Sequence, residues 1–212
     1  MKKLIGLMFY FVVGSASAVP ILLNGSLTDT IDNGGVPSGW NIISPSPDTM
    51  DENSNVGFAG NGFFLATPSA SPDGSTWVGM ASLSGTLESF GQVVTGFSIG
   101  FSYDLSWYHA NFGYDFGFTE ANAIQVLVDG NIIGNGAVLP IGTGWFNEML
   151  SFTATSTSHQ IEFRALFEDS SYQSIDGIRL SESNISTIPN PAIFGLFIFG
   201  LTLIAFKSNF TK

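Results

Sequence analysis

From Phe97 to Trp107 the sequence alternates strictly. Phe97, Ile99, Phe101, Tyr103, Leu105 and Trp107 are apolar, and Ser98, Gly100, Ser102, Asp104 and Ser106 between them are small or polar. Only an extended chain puts such residues on one face, because successive side chains of a strand point to opposite sides while a helix would scatter them round its axis. The pattern recurs. Ile124, Val126 and Val128 alternate and run into Asp129-Gly130, a two-residue hairpin signal, with Ile132-Ile133 as the return strand. Leu150, Phe152 and Ala154 form a further row, Ile161, Phe163, Ala165 and Phe167 another, and Ile178 and Leu180 a last one. No sustained helical period interrupts them. Antiparallel strands with turn signals at short intervals predict an all-β chain, a single jelly-roll β-sandwich. Residues 28–76 read differently: rich in Gly, Pro, Ser, Asn and Asp, with short apolar islands at Trp40–Ile43 and Phe63–Leu65. They are expected to form long loops between strands, where binding residues commonly sit.

Both ends carry sorting features. Lys2-Lys3, the apolar stretch Leu4 to Val13 and the small residues Ala16 and Ala18 make a secretory signal peptide over residues 1–18, cleaved after Ala18. The apolar run at the other end, Ala192 to Phe206, is fifteen residues long. As a helix it would extend ~22 Å, short of a ~30 Å hydrocarbon core. Lys207 and Lys212 follow it, so the end of the chain would stay cytoplasmic while the body lies outside. The expected organisation is signal peptide 1–18, sandwich 19–182, linker 183–188 and a sorting or anchor segment 189–212 with a short transmembrane helix.

Residues 19–187 hold all seventeen acidic residues and only two basic ones, Arg164 and Arg179, a net charge of −15. Phosphate binding needs clustered Lys and Arg, so a nucleic-acid partner is excluded. The chain has no cysteine, which removes disulfides, thiolate catalysis and cysteine metal sites. Its twenty phenylalanines supply the apolar area for a core held by packing alone.

Pro189-Asn190-Pro191, the short apolar run and the basic end together resemble the PEP-CTERM sorting signal, which an exosortase removes during export in Gram-negative bacteria. The family has Glu where this chain has Asn190, and its basic end is usually a cluster of arginines. A plain C-terminal membrane anchor is the alternative. A second resemblance runs over residues 22–182. It is carried by Asn24-Gly25-Ser26-Leu27, Gly39-Trp40, Gly85, Gln92-Val93-Val94, Gly96 and Phe101-Ser102-Tyr103-Asp104-Leu105. Val126 to Gly130, Trp145, Phe152-Thr153-Ala154 and Ile175-Asp176-Gly177-Ile178 complete it. These resemble the galactose-binding-like, carbohydrate-binding-module type of sandwich. The resemblance implies a jelly roll, often a structural calcium, and frequently a glycan ligand.

Catalytic motifs are sparse. Gly96-Phe97-Ser98-Ile99-Gly100 matches G-x-S-x-G, but a nucleophile elbow needs a strand, a sharp turn and a helix, and Ser98 is expected inside a strand. His159 falls in a turn region and reads as a surface residue. Trp107 to Phe118 is aromatic-rich, and Trp107, Tyr108, His109, Asn111, Tyr114 and Asp115 form the candidate ligand site: rings stack on sugar faces and amides or carboxylates bond hydroxyls. The competing reading is core, because Phe112, Tyr114, Phe116 and Phe118 alternate with Gly113, Asp115 and Gly117. Glu148, Glu162 and Glu168 stand near strands, but nothing singles out a glycosidase pair. Asp176 shares parity with Ile178 and Leu180 and would point inward, where a carboxylate needs a partner or a metal. Asn24 and Asp29 are the candidate companions in a calcium site, unless a bulge at Gly177 turns Asp176 the other way.

The expected function is therefore an exported cell-surface or matrix protein that binds polysaccharide without catalysis. Calcium is its candidate cofactor, an exosortase-like enzyme and glycan its partners, and the membrane a contact through the C-terminal helix. A purely structural matrix protein is the alternative, and an extracellular glycoside hydrolase the third reading.

Overall fold

The computed structural model describes residues 19–54, 64–74, 76–115 and 117–183. The expected signal peptide, the expected sorting segment with Pro189, Asn190 and Pro191, and the C-terminal apolar run lie outside them. Among the described residues, eleven antiparallel strands form two sheets. In chain order they are β1 (Asn41–Ser44), β2 (Asp48–Met50), β3 (Trp77–Leu83), β4 (Thr86–Leu87), β5 (Ser89–Thr95) and β6 (Ser102–Asn111). β7 (Ile124–Val128), β8 (Asn131–Asn135), β9 (Thr143–Thr153), β10 (Ser158–Ala165) and β11 (Ser171–Glu182) complete the set. One sheet has the order β1-β5-β10-β7-β8 and the other β2-β3-β11-β6-β9, with β4 beside β3. The fold is a two-layer β-sandwich, as the alternation requires.

The core is the set of inward rows. Tyr103, Leu105 and Trp107 of β6 meet Phe90 and Val94 of β5, Ile161 and Phe163 of β10, and Ile124 and Val126 of β7. Phe90 stacks on Phe163 and Trp107 meets Phe163 edge-on, with ring centroids 5.7 Å apart in each pair. Asp129 and Gly130 both have positive φ, 51° and 74°, and close the β7–β8 hairpin as their sequence predicts.

Three details depart from the sequence reading. The alternation does not begin at Phe97. Gly96 and Gly100 take left-handed conformations and the amide of Phe101 donates to the Ser98 carbonyl, so a turn precedes β6 and leaves Ile99 and Phe101 exposed. Ser98 thus lies in a turn that leads into a strand, not into the helix a nucleophile elbow needs. Phe167 lies beyond the end of β10 and is exposed. His159 is buried, not on the surface. Its Nδ1 donates to Asp129 Oδ2 at 2.6 Å and its Nε2 accepts the amides of Thr155 and Ser156 at 3.2 Å. Burial works against the Asp129 charge, but the hydrogen bonds from His159 and the Gln160 amide hold that carboxyl below the usual range.

The outer face of the second sheet carries a smaller core of its own. Met50, Trp77, Ala81 and Tyr172 from the strands are covered by Tyr114 and Phe118, with Phe64 and Trp145 packed against them. Tyr114 stacks on Tyr172 at 4.9 Å and Trp77 meets Trp145 at 5.4 Å. The covering chain is pinned where the Ala66 amide donates to the Phe112 carbonyl and Trp145 Nε1 to the Ser69 carbonyl. Among the described residues this covering stops short of Ser106 and Arg179.

Candidate functional site

Beside that covering, the described residues leave a groove of about 800 Å³ on the outer face. Its floor is made by β6 and β11. Ser106 and Tyr108 lie on the outward side of β6, since their neighbours Leu105 and Trp107 are core. On β11 the register slips between Asp176 and Arg179, and Gly177 sits at φ +59°. That bulge sets Arg179 beside Ser106 and Ser181 beside Asp104 on the outward face. A side chain at position 177 would also meet the Tyr108 ring, whose Cδ2 would lie 2.7 Å from its Cβ, so the glycine lets the ring lie flat on β11.

One wall is the segment Pro20 to Ser26. Four residues hold its backbone: the Thr95 carbonyl accepts the Ile21 amide, Gln92 exchanges hydrogen bonds with both backbone groups of Leu23, Trp40 Nε1 donates to the Asn24 carbonyl, and the Ile178 amide donates to the Gly25 carbonyl. Gly25 packs directly against the Ile178 carbonyl, where no β-carbon fits. The other wall is Asp73. Arg179 Nη2 donates to its Oδ1 at 2.6 Å and Ser26 Oγ to its Oδ2 at 3.0 Å. The Arg179 side chain stays 66% exposed within this pair, so most of its donors face the groove and solvent. Further along, Asp104 accepts from Ser151 Oγ and Ser183 Oγ, each at 2.6 Å, and these bonds hold its carboxyl below the usual range. The groove therefore combines a guanidinium, the Asp73 carboxylate and serine hydroxyls with the apolar surface of Pro20 and Ile21. It suits a ligand with hydroxyls on one edge and C–H groups on the other.

Of the six candidate ligand residues, the structure buries Trp107, His109, Asn111 and Tyr114. Trp107 is in the inter-sheet core and Tyr114 in the outer aromatic cluster. His109 Nε2 and Gln173 Oε1 bond at 2.7 Å between the sheets, and Asn111 Nδ2 donates to the Glu120 and Leu139 carbonyls. The core reading of the alternation is the correct one for these four, which present no surface to a ligand. Asp115 is exposed in a turn. Tyr108 alone belongs to the groove's face. Sequence reasoning missed Arg179, Asp73, Ser106 and Ser181. A signal was there for Arg179, one of two basic residues in a strongly acidic stretch.

The calcium set is also redrawn. Gly177 does form a bulge, and it turns Asp176 to the outer face, opposite Tyr108, and not toward the core. Asp176 is nevertheless fully buried, because the Ser71–Asp73 segment covers it. Ser71 Oγ donates to its Oδ2, its Oδ1 has no hydrogen-bond partner, and burial together with the nearby Asp73 charge raises its carboxyl to about 7. Asn24 and Asp29 are occupied elsewhere. Asn24 bonds Thr28 and Ser38, and Asp29 accepts the amides of Thr30 and Ser38. Among the described residues no three acidic or histidine side chains gather around one point. Asp73 is already engaged by Arg179 and Ser26, so Asp176 offers a single free carboxylate oxygen where calcium takes 6–8 oxygens. The residues present fall short of a calcium shell.

Two further carboxylates lie near β2 and β3. Asp48 is buried, accepting from Gly34 N at 2.7 Å and from Tyr172 Oη at 2.5 Å, and Glu88 accepts from Ser46 N and Ala81 N. Neither lines the groove.

No protein-family model matches the chain, and no curated protein matches it. Solved structures do. An arabinose-bound α-L-arabinofuranosidase, MgGH51, superposes with a TM-score of 0.50 at 14% identity, over 84% of this chain and 28% of that one. TmCBM61 in complex with β-1,4-galactotriose gives 0.40 at 16% identity, over 69% and 90%. The EclA C-terminal domain, a sugar-binding protein, gives 0.35 at 19% identity, over 43% and 64%. The likeness is one of fold. The chain spans less than two thirds of the arabinofuranosidase and of the EclA domain.

Proposed function

We propose that this chain is an exported, non-catalytic polysaccharide-binding protein whose jelly-roll domain holds a neutral glycan in the groove across β6 and β11. One observation carries the reading: Arg179, Asp73, Ser106 and Ser181 converge on a shallow apolar-walled groove with the Tyr108 ring beside it. Such a mixture bonds sugar hydroxyls while an aromatic ring and aliphatic walls accept the C–H face. A net charge of −15 over residues 19–187 disfavours polyanionic glycans. Export and exosortase-like sorting rest on the two terminal segments of the sequence, with the apolar run Ala192 to Phe206 as the membrane contact.

The test is binding of the full chain to an array of neutral and acidic polysaccharides, in calcium and in EDTA. Saturable binding to neutral glycans is expected. Arg179→Ala and Tyr108→Ala should each weaken it about tenfold or more, the loss of one good contact at ~1.4 kcal/mol. Binding that survives both substitutions would move the site elsewhere, and no binding to any glycan would remove this reading. With only one free oxygen on Asp176, EDTA is expected to leave the affinity unchanged. A loss in EDTA that Asp176→Asn reproduces would instead establish a calcium site there. The structural-matrix alternative draws support from one specific observation, the long free edge of β9.

A further inference from the structure

The two sides of the sandwich end differently. On one side the edge strands are β1, with four residues, and β2, with three. Short edges are one of the devices by which proteins avoid edge-to-edge pairing. On the other side the edges are β8 and β9, and β9 runs for eleven residues, about 37 Å at ~3.4 Å per residue. Among the described residues β9 pairs with β6 on one flank only. It contains no proline and no lysine, and the one guard it carries is a single inward-turned charge, Glu148.

The charge pattern singles out the same side. From Asn131 to Thr153 the sole charged residue is Glu148, in a domain of net charge −15. Glu148 is also turned away from the edge: its side chain is 11% exposed, and Oε1 accepts the Ala137 amide at 2.7 Å and lies 3.9 Å from His109 Nδ1. Gly134 and Gly136 of the β8 side let Leu150 and Glu148 pack close, which seals the sandwich beneath the edge. The exposed residues here carry no charge: Ile132, Phe146 and Met149 are 58%, 50% and 62% exposed, and Asn131, Asn147, Ser151 and Thr153 are exposed and polar.

We propose that β9 is the seam of a homodimer, in which β9 of one copy adds antiparallel to β9 of a second copy and the two outer sheets become one. This inference does not depend on the glycan reading. A cationic partner would be drawn to the acidic remainder of the surface, not to the one neutral stripe. Two copies of this chain repel one another everywhere except along that stripe, and there both need the same thing, a strand to bond their free backbone groups. The pairing is isologous, so it closes at two copies. A register centred on Glu148 would oppose like charges; one centred on Asn147 avoids this and sets Trp145 opposite the partner's Met149. A two-fold axis normal to the sheet keeps the same face outward in both copies. Both grooves would therefore open on one side of the joined sheet.

Sedimentation velocity of the full chain in mild detergent tests this, with Phe146→Lys and Met149→Lys as edge variants. Both positions are exposed, so the fold is expected to persist, which circular dichroism checks. The wild type is expected to show a dimer and each variant a dissociation constant raised about tenfold or more. A second readout uses the absence of cysteine. Asn147→Cys on β9 should be joined by a short bismaleimide into a covalent dimer far faster than Ile43→Cys on the opposite edge. A wild type that is monomeric throughout, an association unchanged by the edge lysines, or equal cross-linking from both cysteines would overturn the proposal. The last two outcomes would assign any association to the apolar ends of the chain.

Discussion

Trp107→Ala is expected to destabilise the domain by about 3–5 kcal/mol without abolishing ligand binding in the fraction that stays folded. The indole is fully buried between the sheets, meets Phe163 edge-on and is flanked by Gly136. Its neighbours on β6, Leu105 and His109, are held by the cross-strand pairing and cannot close the space. Against a total stability of ~5–15 kcal/mol for a typical domain, that loss is large. It corresponds to a fall of about 10–15 °C in the melting midpoint for a domain of this size. Calorimetry sets the midpoint, and glycan titration below it sets the affinity. A normal melt with abolished binding would reverse the assignment, making Trp107 a ligand contact and the β6–β11 groove a bystander. The contrast with Tyr108→Ala is the informative part. Adjacent residues on one strand face opposite sides, so one substitution reads out stability and the next reads out binding.

The domain is expected to be more stable at pH 5 than at pH 8, and Glu88 and Asp176 should carry most of the difference between them. Burial pushes the Glu88 carboxyl from 4.5 up to about 7, and the nearby Asp48 charge adds to the rise while the amides of Ala81 and Ser46 oppose it. The folded chain thus keeps a proton that the unfolded chain releases above pH 4.5, and stability falls as pH rises from 4.5 to about 7. The size is on the order of 2–3 kcal/mol, at ~1.4 kcal/mol per unit of difference. Asp48 works in the same direction, since burial also raises its carboxyl against the Tyr172 hydrogen bond. The opposing groups, Asp104 and Asp129, have carboxyls held low, so their contribution is lost only at more acid pH. Denaturant melts from pH 4.5 to 8 measure the slope. Glu88→Gln should reduce it by about half whatever that variant's baseline stability, leaving the slope from Asp176 and Asp48. A wild-type stability that rises from pH 5 to 8 would contradict this account.

Much of the sandwich was legible because strand periodicity is a local property. Tyr103, Leu105 and Trp107, then Ile124, Val126 and Val128, then Ile161, Phe163 and Ala165, all point where a period of two puts them. Asp129-Gly130 names its own turn, because only a short polar residue and a glycine accept two consecutive left-handed conformations. The N-terminal limit of β6 was misread for a related reason: Gly96 and Gly100 looked like small members of an alternating strand, and what they supply is a turn.

The groove was not legible, since no local rule links Asp73, Ser106 and Arg179. The sequence by itself determined the layer architecture, the acidic surface, the neutral stripe along β8 and β9, and the absence of disulfides. Alternation, charge and cysteine content are all properties of the chain before it folds. Only the tertiary structure decided which aromatic residues are core and which face of the second sheet stays open. A covering segment from residues 64–74 buries Asp176 and stops short of Ser106, and its placement depends on contacts such as Ser71 to Asp176 across more than a hundred residues. Periodicity says that a side chain leaves the sheet plane on a given side. It does not say whether another part of the chain is waiting there to cover it.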